Sequence, residues 1–297
     1  MIPCYPPVSG EIATFTVHRI PPFSARMRPA ITVCLVPEAR SGPFVFHGDL
    51  ESGCAQAAAA GFQAIELFPT SADDIDAALL RQTLNRHGLA LAAMGTGAGW
   101  VRQRLTLTHP DSAVRHRAQQ FIAAIVDLAG SFGAPAIIGS MQGRADGEIT
   151  RDQALGWLAM ALEQLGPRAA ARGVPLLIEP LNRYESNLLN TVEQGVELLR
   201  PLRTRSPRLL CDLFHMNIEE VSIADALRAA GPLVGHVHFA DSNRRAIGLG
   251  HTEVAASIQA LKDISYRGYL SAEILPLPTP EIAARTTLES IRHFLPA

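Results

Sequence analysis

Residues 174–191 read VPLLIEPLNRYESNLLNT, an apolar run that stops on an acid and passes directly into a polar loop. Val174, Leu176, Leu177 and Ile178 predict a strand apolar on both faces, and such strands belong to parallel sheets covered by helices on both sides. Glu179 stands where that strand stops. A carboxylate at the mouth of a buried strand loses hydration and needs a metal, a counter-charge or hydrogen bonds in compensation. Glu179 is therefore the first candidate for function, and other strands have to be asked whether they deliver matching groups to the same place.

Outward from this stretch one unit recurs: a short apolar strand, a loop, an amphipathic helix ending near glycine, and the next strand. Strands are expected at 31–36, 64–68, 89–94, 136–139, 175–179, 209–214, 234–240 and 269–274. Their starts lie about 34 residues apart, a natural length for a βα unit. Between them, Val114, Ala118, Phe121, Ile122, Ile125 and Ala129 keep helical spacing, as do Leu155, Leu158, Leu162 and Leu165. Thr150 with Gln153, and Thr191 with Gln194, fit the capping box, and Pro280 after Thr279 suits the first turn of a last helix. Gly61, Gly133, Gly173, Gly231 and Gly268 lie near helix ends, where a left-handed residue is wanted. Eight such units predict an α/β fold of the closed (β/α)₈ TIM-barrel kind over residues 31–297, in preference to an open doubly wound sheet. Residues 1–30 carry Pro3, Pro6, Pro7, Pro21, Pro22 and Pro29 without sustained periodicity and are expected to be an irregular extension. Met27 is a second candidate start of translation, which N-terminal mass spectrometry of protein from the native host would identify.

Composition narrows the class of function. At 297 residues, 47% hydrophobic and 18% charged, the chain has enough apolar material for a large core. A formal net charge of -2 gives no electrostatic footprint for nucleic acid or an anionic membrane, which leaves a small molecule as the expected partner. Cys4, Cys34, Cys54 and Cys211 have no CxxC or zinc-type spacing and suit free thiols in a reducing compartment. No run approaches eighteen apolar residues. The expectation is a cytoplasmic protein.

In a barrel, function sits where strands end and βα loops begin. Strand five ends at Glu179, strand six carries Asp212 in LLCDLFHMN, strand seven His238 in VGHVHFADS, and strand eight Glu273 in YLSAEIL. Four consecutive strands thus each offer one metal-capable group at the barrel mouth. Two Glu, one Asp and one His form an oxygen-rich set with one nitrogen, suited to Mn²⁺ first and also to Mg²⁺, Co²⁺ or Zn²⁺. Taken singly, each has a plain structural reading as a buried ion pair, a loop cap, a core histidine or a rim charge. Glu185, His215 and Arg244 lie in the loops just beyond these groups, where polar side chains orient a polyhydroxylated substrate. Arg245 adjoins Arg244 and competes for its role.

The stretches IEPLNRYESNLLNT, DLFHMNIEE, HVHFADSNRRAIGLGH and SAEIL resemble the xylose-isomerase-like barrels of sugar-phosphate isomerase/epimerase type, particularly the ketose 3-epimerases related to D-tagatose 3-epimerase, over roughly residues 31–294. The resemblance implies Glu179, Asp212, His238 and Glu273 as metal ligands and Glu185, His215 and Arg244 as substrate-binding positions. It also implies a homodimer or homotetramer. Many ketose 3-epimerases place an acid and an Arg-Gly pair around the seventh loop, whereas this chain has Asp241, Ser242, Asn243, Arg244 and Arg245. The IGLGH segment is similar to the wider group that includes hydroxypyruvate isomerases and inosose-processing enzymes.

The implied activity is divalent-metal-dependent C3 epimerisation of a ketose through a cis-enediolate, with Glu179 and Glu273 as the acid/base pair on opposite faces of the sugar. A single acid shuttling the proton between adjacent carbons would instead run an aldose–ketose isomerisation. An endonuclease IV-like nuclease would want a basic surface, and a non-catalytic sugar-binding barrel would show no proton exchange. Other features carry less. Residues 95–99, GTGAG, lack dinucleotide-binding spacing and are expected to be a loop. Phe44, Phe46, His47 and Trp100 are placed to wall a pocket or to pack at the core edge. Glu66 is either a partner of the ligand set or simply paired to a neighbour, and His236, deeper than His238 on the same face, is expected to be structural.

Overall fold

The computed structural model describes residues 27–295; residues 1–26 of the expected extension lie outside them. In chain order the strands are β1 (Arg28–Cys34), β2 (Phe46–His47), β3 (Ala64–Phe68), β4 (Ala90–Gly95), β5 (Ala136–Ile138), β6 (Leu176–Ile178), β7 (Pro207–Asp212), β8 (Val234–His238) and β9 (Tyr269–Ala272). The helices are α1 (Leu50–Ala60), α2 (Ala77–His87), α3 (Ala98–Gln103), α4 (Ser112–Gly130), α5 (Arg151–Ala171), α6 (Val192–Leu199), α7 (Leu213–Glu219), α8 (Ile223–Ala230), α9 (Val254–Asp263) and α10 (Pro280–Phe294). All strand pairs are parallel, and β9 pairs back onto β1, so β1 and β3 to β9 close into the expected eight-stranded ring.

The ring closes through a seam that sequence patterning does not show. Arg28 to Ile31 of β1 pair with Tyr269 to Ala272 of β9, whereas Val33 and Cys34 pair with β2. β2 thus takes over the side of β1 that β9 leaves. The Thr32 hydroxyl bridges the change, donating to Ala272 O at 3.0 Å and accepting from Val45 N–H at 3.0 Å. β1 begins at Arg28, before the expected residue 31, because pairing with β9 overrides the weak strand signal around Pro29. The Arg28 guanidinium lies 4.1 Å from the centre of the Tyr269 ring at this join.

The helices bury the stripes their spacing predicts. Ala118, Ile122, Ile125, Val126 and Ala129 of α4 and Leu158, Leu162 and Leu165 of α5 lie in the layer between ring and helices. The Thr150–Gln153 capping box forms completely. At α6 only half of it does: the Thr191 hydroxyl accepts from Gln194 N–H, but the Gln194 amide oxygen turns to Asn190 N–H at 2.8 Å. Gly61, Gly133, Gly173 and Gly231 have positive φ, and after α9 Ser265 (φ 58°), not Gly268, takes the left-handed conformation. Among the described residues no helix is long and apolar enough to cross a membrane. Cys34, Cys54 and Cys211 are buried free thiols.

Candidate active site

Inside the ring Ala93, Ile137, Leu177 and Leu210 form one apolar layer. Side chains two residues further along a strand point the same way, one layer nearer the mouth. That step leads from Leu177 to Glu179, from Leu210 to Asp212 and from Ile137 to Gly139, and on the neighbouring strands from His236 to His238 and from Ser271 to Glu273. The strands stop sooner than expected: β6 ends at Ile178 and β9 at Ala272, so Glu179 and Glu273 each stand one residue beyond a strand. β7 ends at Asp212 because its Oδ1 accepts Phe214 N–H at 2.8 Å and starts α7, which replaces the expected strand end at 213–214. That bond leaves Asp212 Oδ2 for the centre of the barrel.

The four groups converge. His238 Nδ1 lies 3.5 Å from Glu179 Oε1, 3.6 Å from Asp212 Oδ2 and 3.6 Å from Glu273 Oε2. One donor atom from each falls within 4.8 Å of all the others. Glu179 Oε1, Asp212 Oδ2 and His238 Nδ1 are buried and have no hydrogen-bond partner, an arrangement that costs free energy unless a cation fills the space between them. Burial pushes the Glu179 carboxyl up to about 8, with Glu273 and Asp212 adding to the rise and His238 opposing it. Burial also raises Glu273, against the pull of His238 and Arg244. These two orphaned carboxylate oxygens and one imidazole nitrogen, with Glu273 Oε2 held beside them by Arg244, fit a divalent ion that prefers oxygen ligands.

Behind the cluster stands Glu66, which the sequence left between two readings. Its Oε1 meets His238 Nε2 at 2.9 Å and its Oε2 meets His236 Nε2 at 2.7 Å, so one fully buried carboxylate ties two histidines together. Burial alone would raise this carboxyl, but His238 and His236 outweigh it and hold it well below the usual carboxylate range. With Nε2 committed to Glu66, His238 turns Nδ1 toward the cluster. Burial disfavours charge on His238, yet Glu66 and Glu273 raise its pKa well above the ordinary value. A ligating ion would displace that proton. Glu66, His236 and His238 also satisfy one another directly, which accounts for this second compact group without a cation.

Glu185, His215 and Arg244 are brought to the same place. Arg244 donates to Glu273 Oε2 at 2.7 Å and to Glu185 Oε1 at 3.1 Å, and its guanidinium lies 4.8 Å from the centre of the Phe214 ring. Its φ of 57° is unusual for a side chain of this size. The turn that holds it is built on Asp241, whose buried carboxylate accepts N–H bonds from Ser242, Gly248, Gly250 and Thr252. Of the two adjacent arginines, Arg244 is the one that lines the cavity. His215 is 1% exposed, and burial first of all lowers its pKa, which favours the neutral ring.

The cavity above the cluster has a volume of about 170 Å³. Glu179, Glu185, His215, Arg244 and Glu273 make one side, and Val36, Phe44, Phe68, Val101 and Leu181 an apolar wall in which the Phe44 and Phe68 rings lie 4.4 Å apart. Of the four candidate wall residues only Phe44 lines it; Phe46 and Trp100 pack into the core and His47 stands aside. The GTGAG stretch is loop only at Thr96 and Gly97: Gly95 ends β4 and Ala98 opens α3, and all four line the cavity. Four contributors escaped sequence reading: Gly139, Gln142, Asn182 and Phe68. Gly139 leaves room for the acid, since a Cβ there would stand 2.6 Å from Glu179 Oε2. Gln142 Nε2 donates to Glu179 O at 2.8 Å. Asn182 lies inside the opening stretch, so the signal was in view, but an asparagine in a polar loop looks like ordinary turn chemistry.

Comparison with known proteins agrees with this geometry. The sequence model for the xylose isomerase-like TIM barrel matches residues 54–294. An L-ribulose 3-epimerase from Methylomonas sp. (strain DH-1) is 31% identical over 238 residues, covering 77% of this chain and 81% of the relative. A D-psicose 3-epimerase from Agrobacterium fabrum is 32% identical over 206 residues, 67% of this chain and 69% of the relative. The crystal structure of a D-allulose 3-epimerase from Methylomonas sp. in complex with D-allulose superposes with a TM-score of 0.77 at 26% identity, over 91% of this chain and 98% of that one. These relatives are carbohydrate epimerases, of the isomerase class. The chain belongs to the xylose isomerase-like TIM-barrel family.

Proposed function

We propose that this protein is a ketose 3-epimerase that acts on a free ketose with a divalent ion, Mn²⁺ first, held by Glu179, Asp212, His238 and Glu273. The observation that carries the reading is the convergence of two glutamates on one buried donor cluster, each open to the same cavity. When bound, the ion supplies Lewis-acid stabilisation of negative charge on the sugar oxygens. The proteinaceous part of the reaction is proton transfer. One of Glu179 and Glu273 takes the C3 proton from one face of the ketose, and the other returns a proton to the opposite face. Burial of both glutamates keeps bulk water from competing with the sugar for their protons. Arg244 bridges Glu185 and Glu273 and keeps Glu273 from drifting into solvent. The apolar wall excludes water from the far end of the sugar. Arg244 is the one Lys or Arg side chain among the described residues lining the cavity, and both its terminal nitrogens are committed to carboxylates, which supports a neutral sugar over a sugar phosphate.

The test is proton exchange in D₂O with D-allulose, D-fructose and L-ribulose in the presence of Mn²⁺, followed by NMR. Deuterium at C3 together with the 3-epimer is the expected outcome; deuterium at C1 of the recovered ketose and at C2 of an aldose product would assign an isomerase instead. Glu179→Gln and Glu273→Gln are each expected to lower kcat by at least about 10³-fold while the fold survives. Full turnover in either variant would remove it from the acid/base pair.

A further inference from the structure

His215 can serve a substrate as hydrogen-bond donor or as acceptor, depending on which ring nitrogen carries its proton. Two N–H groups settle the matter, both from Asn182. The backbone N–H of Asn182 donates to His215 Nδ1 at 3.3 Å, and the Asn182 side-chain Nδ2 lies 2.7 Å from the same atom. A nitrogen that accepts from two N–H donors carries no proton of its own. The proton of the neutral ring is therefore on Nε2. That atom is buried and has no hydrogen-bond partner, and the ring lines the cavity. Its nearest anionic atoms, Asp212 Oδ2 at 3.6 Å and Glu179 Oε1 at 3.8 Å, are too far for a direct bond.

The orientation of the Asn182 amide is itself determined. Its Oδ1 accepts Tyr184 N–H at 3.0 Å, which leaves Nδ2 to face His215 and, at 3.3 Å, Glu185 Oε1. Asn182 is 2% exposed and does not line the cavity. It meets the substrate only through His215 and Glu185.

We propose that Asn182 is a positioning residue that locks His215 in the Nε2–H form, so that His215 presents a donor to an oxygen of the bound ketose. This rests on the epimerase reading for the identity of the ligand but not for the state of the ring. A hydroxyl or carbonyl oxygen of the sugar, accepting from Nε2–H, completes the one bond that His215 lacks.

Asn182→Asp is the discriminating variant. The carboxylate keeps the size of the side chain and the bond to Tyr184 N–H, but replaces the N–H that faces His215 with an acceptor. A proton is then favoured on Nδ1. Two readouts follow. Long-range ¹H–¹⁵N NMR of the full-length chain with Mg²⁺, with the His215 signals identified by their loss in His215→Asn, is expected to show Nε2–H in the wild type and a shift toward Nδ1–H in Asn182→Asp. Steady-state kinetics with D-allulose is expected to show KM raised about tenfold in Asn182→Asp, the worth of one hydrogen bond. In the His215→Asn background the same substitution should raise KM little further. A wild-type ring protonated on Nδ1 would overturn the proposal, and so would fully additive effects in the double variant, which would mean that Asn182 acts by a route other than His215. Wild-type protein inactive on every ketose tried would count against the epimerase reading, while the NMR result would still decide the state of the ring.

Discussion

A histidine placed to ligate through Nδ1 has to be held by its other nitrogen, and in this barrel Glu66 does the holding. The Glu66 carboxylate also binds His236 through its other oxygen, so each histidine holds one oxygen of the buried acid and neither oxygen is left unpaired. Glu66→Gln keeps the volume but offers a single acceptor oxygen to two N–H groups. Its affinity for Mn²⁺ is expected to fall about 10- to 100-fold, the usual cost of losing a partner behind a metal ligand. Titration calorimetry of the ion measures this without reference to turnover. His236, expected to be structural, is structural in a particular sense: its contact is with the acid that aims His238. The four proposed ligands were legible one by one because costly polar residues at strand ends stand out against apolar runs. Glu66 was less legible because its role depends on a partner 172 residues away.

At the scale of elements, every group of the cluster is set by where a strand stops. Period-two alternation carries Glu179, Asp212, His238 and Glu273 inward, and the loops begin at once, so the same residues are both interior and at the mouth. β5 contributes by having nothing: Gly139 occupies the corresponding place, and a methyl group there would press on Glu179 Oε2. Gly139→Ala is expected to destabilise the fold by only about 1–3 kcal/mol, the range for overpacking. On the proposed mechanism it should nevertheless depress kcat/KM strongly, because the displaced atom belongs to the proposed acid/base Glu179, whose placement sets the rate of proton transfer. Thermal unfolding beside steady-state kinetics separates the two effects. The helix caps give the opposite pattern. Thr150→Ala breaks the complete capping box of α5 and should cost about 1 kcal/mol in unfolding free energy with kcat unchanged. Cap residues were readable from three-residue spacings, yet at α6 the second half of the box went to Asn190, a choice that the surrounding loop makes and the spacing does not.

For the whole molecule, the proposed ion site links stability to pH. Without an ion, Glu179 in the folded chain keeps its proton up to about 8, whereas in the unfolded chain it releases it near 4.5. Between those values the folded state binds more protons than the unfolded state, so stability falls as pH rises. His238 acts with the same sign: its folded pKa is raised, so the stability it contributes is present below the ordinary value of 6.5 and is lost as pH rises through the higher folded one. An ion bound as proposed would replace both protons and remove the penalty. The melting temperature in chelator should therefore drop between about pH 5 and pH 8, and the gain on adding Mn²⁺ should be largest at the alkaline end. Differential scanning fluorimetry across that range checks both statements; a gain independent of pH would show that the ion does not replace those protons.

The sequence by itself determined the barrel, because eight apolar strands at one repeat, separated by helices with apolar stripes, leave few other ways to cover a parallel sheet. It also marked the strand ends whose acids and histidine converge at the mouth, since such groups stand out there against apolar runs. Tertiary structure alone decided the rest. It placed Asn182 against His215, Glu66 against two histidines and Gly139 beside Glu179, and it selected Arg244 over Arg245 through the turn built on Asp241. These are contacts between residues on different βα units or across a folded loop. No period in the chain encodes them, because hydrogen-bond partners are chosen by distance and direction once the ring has closed.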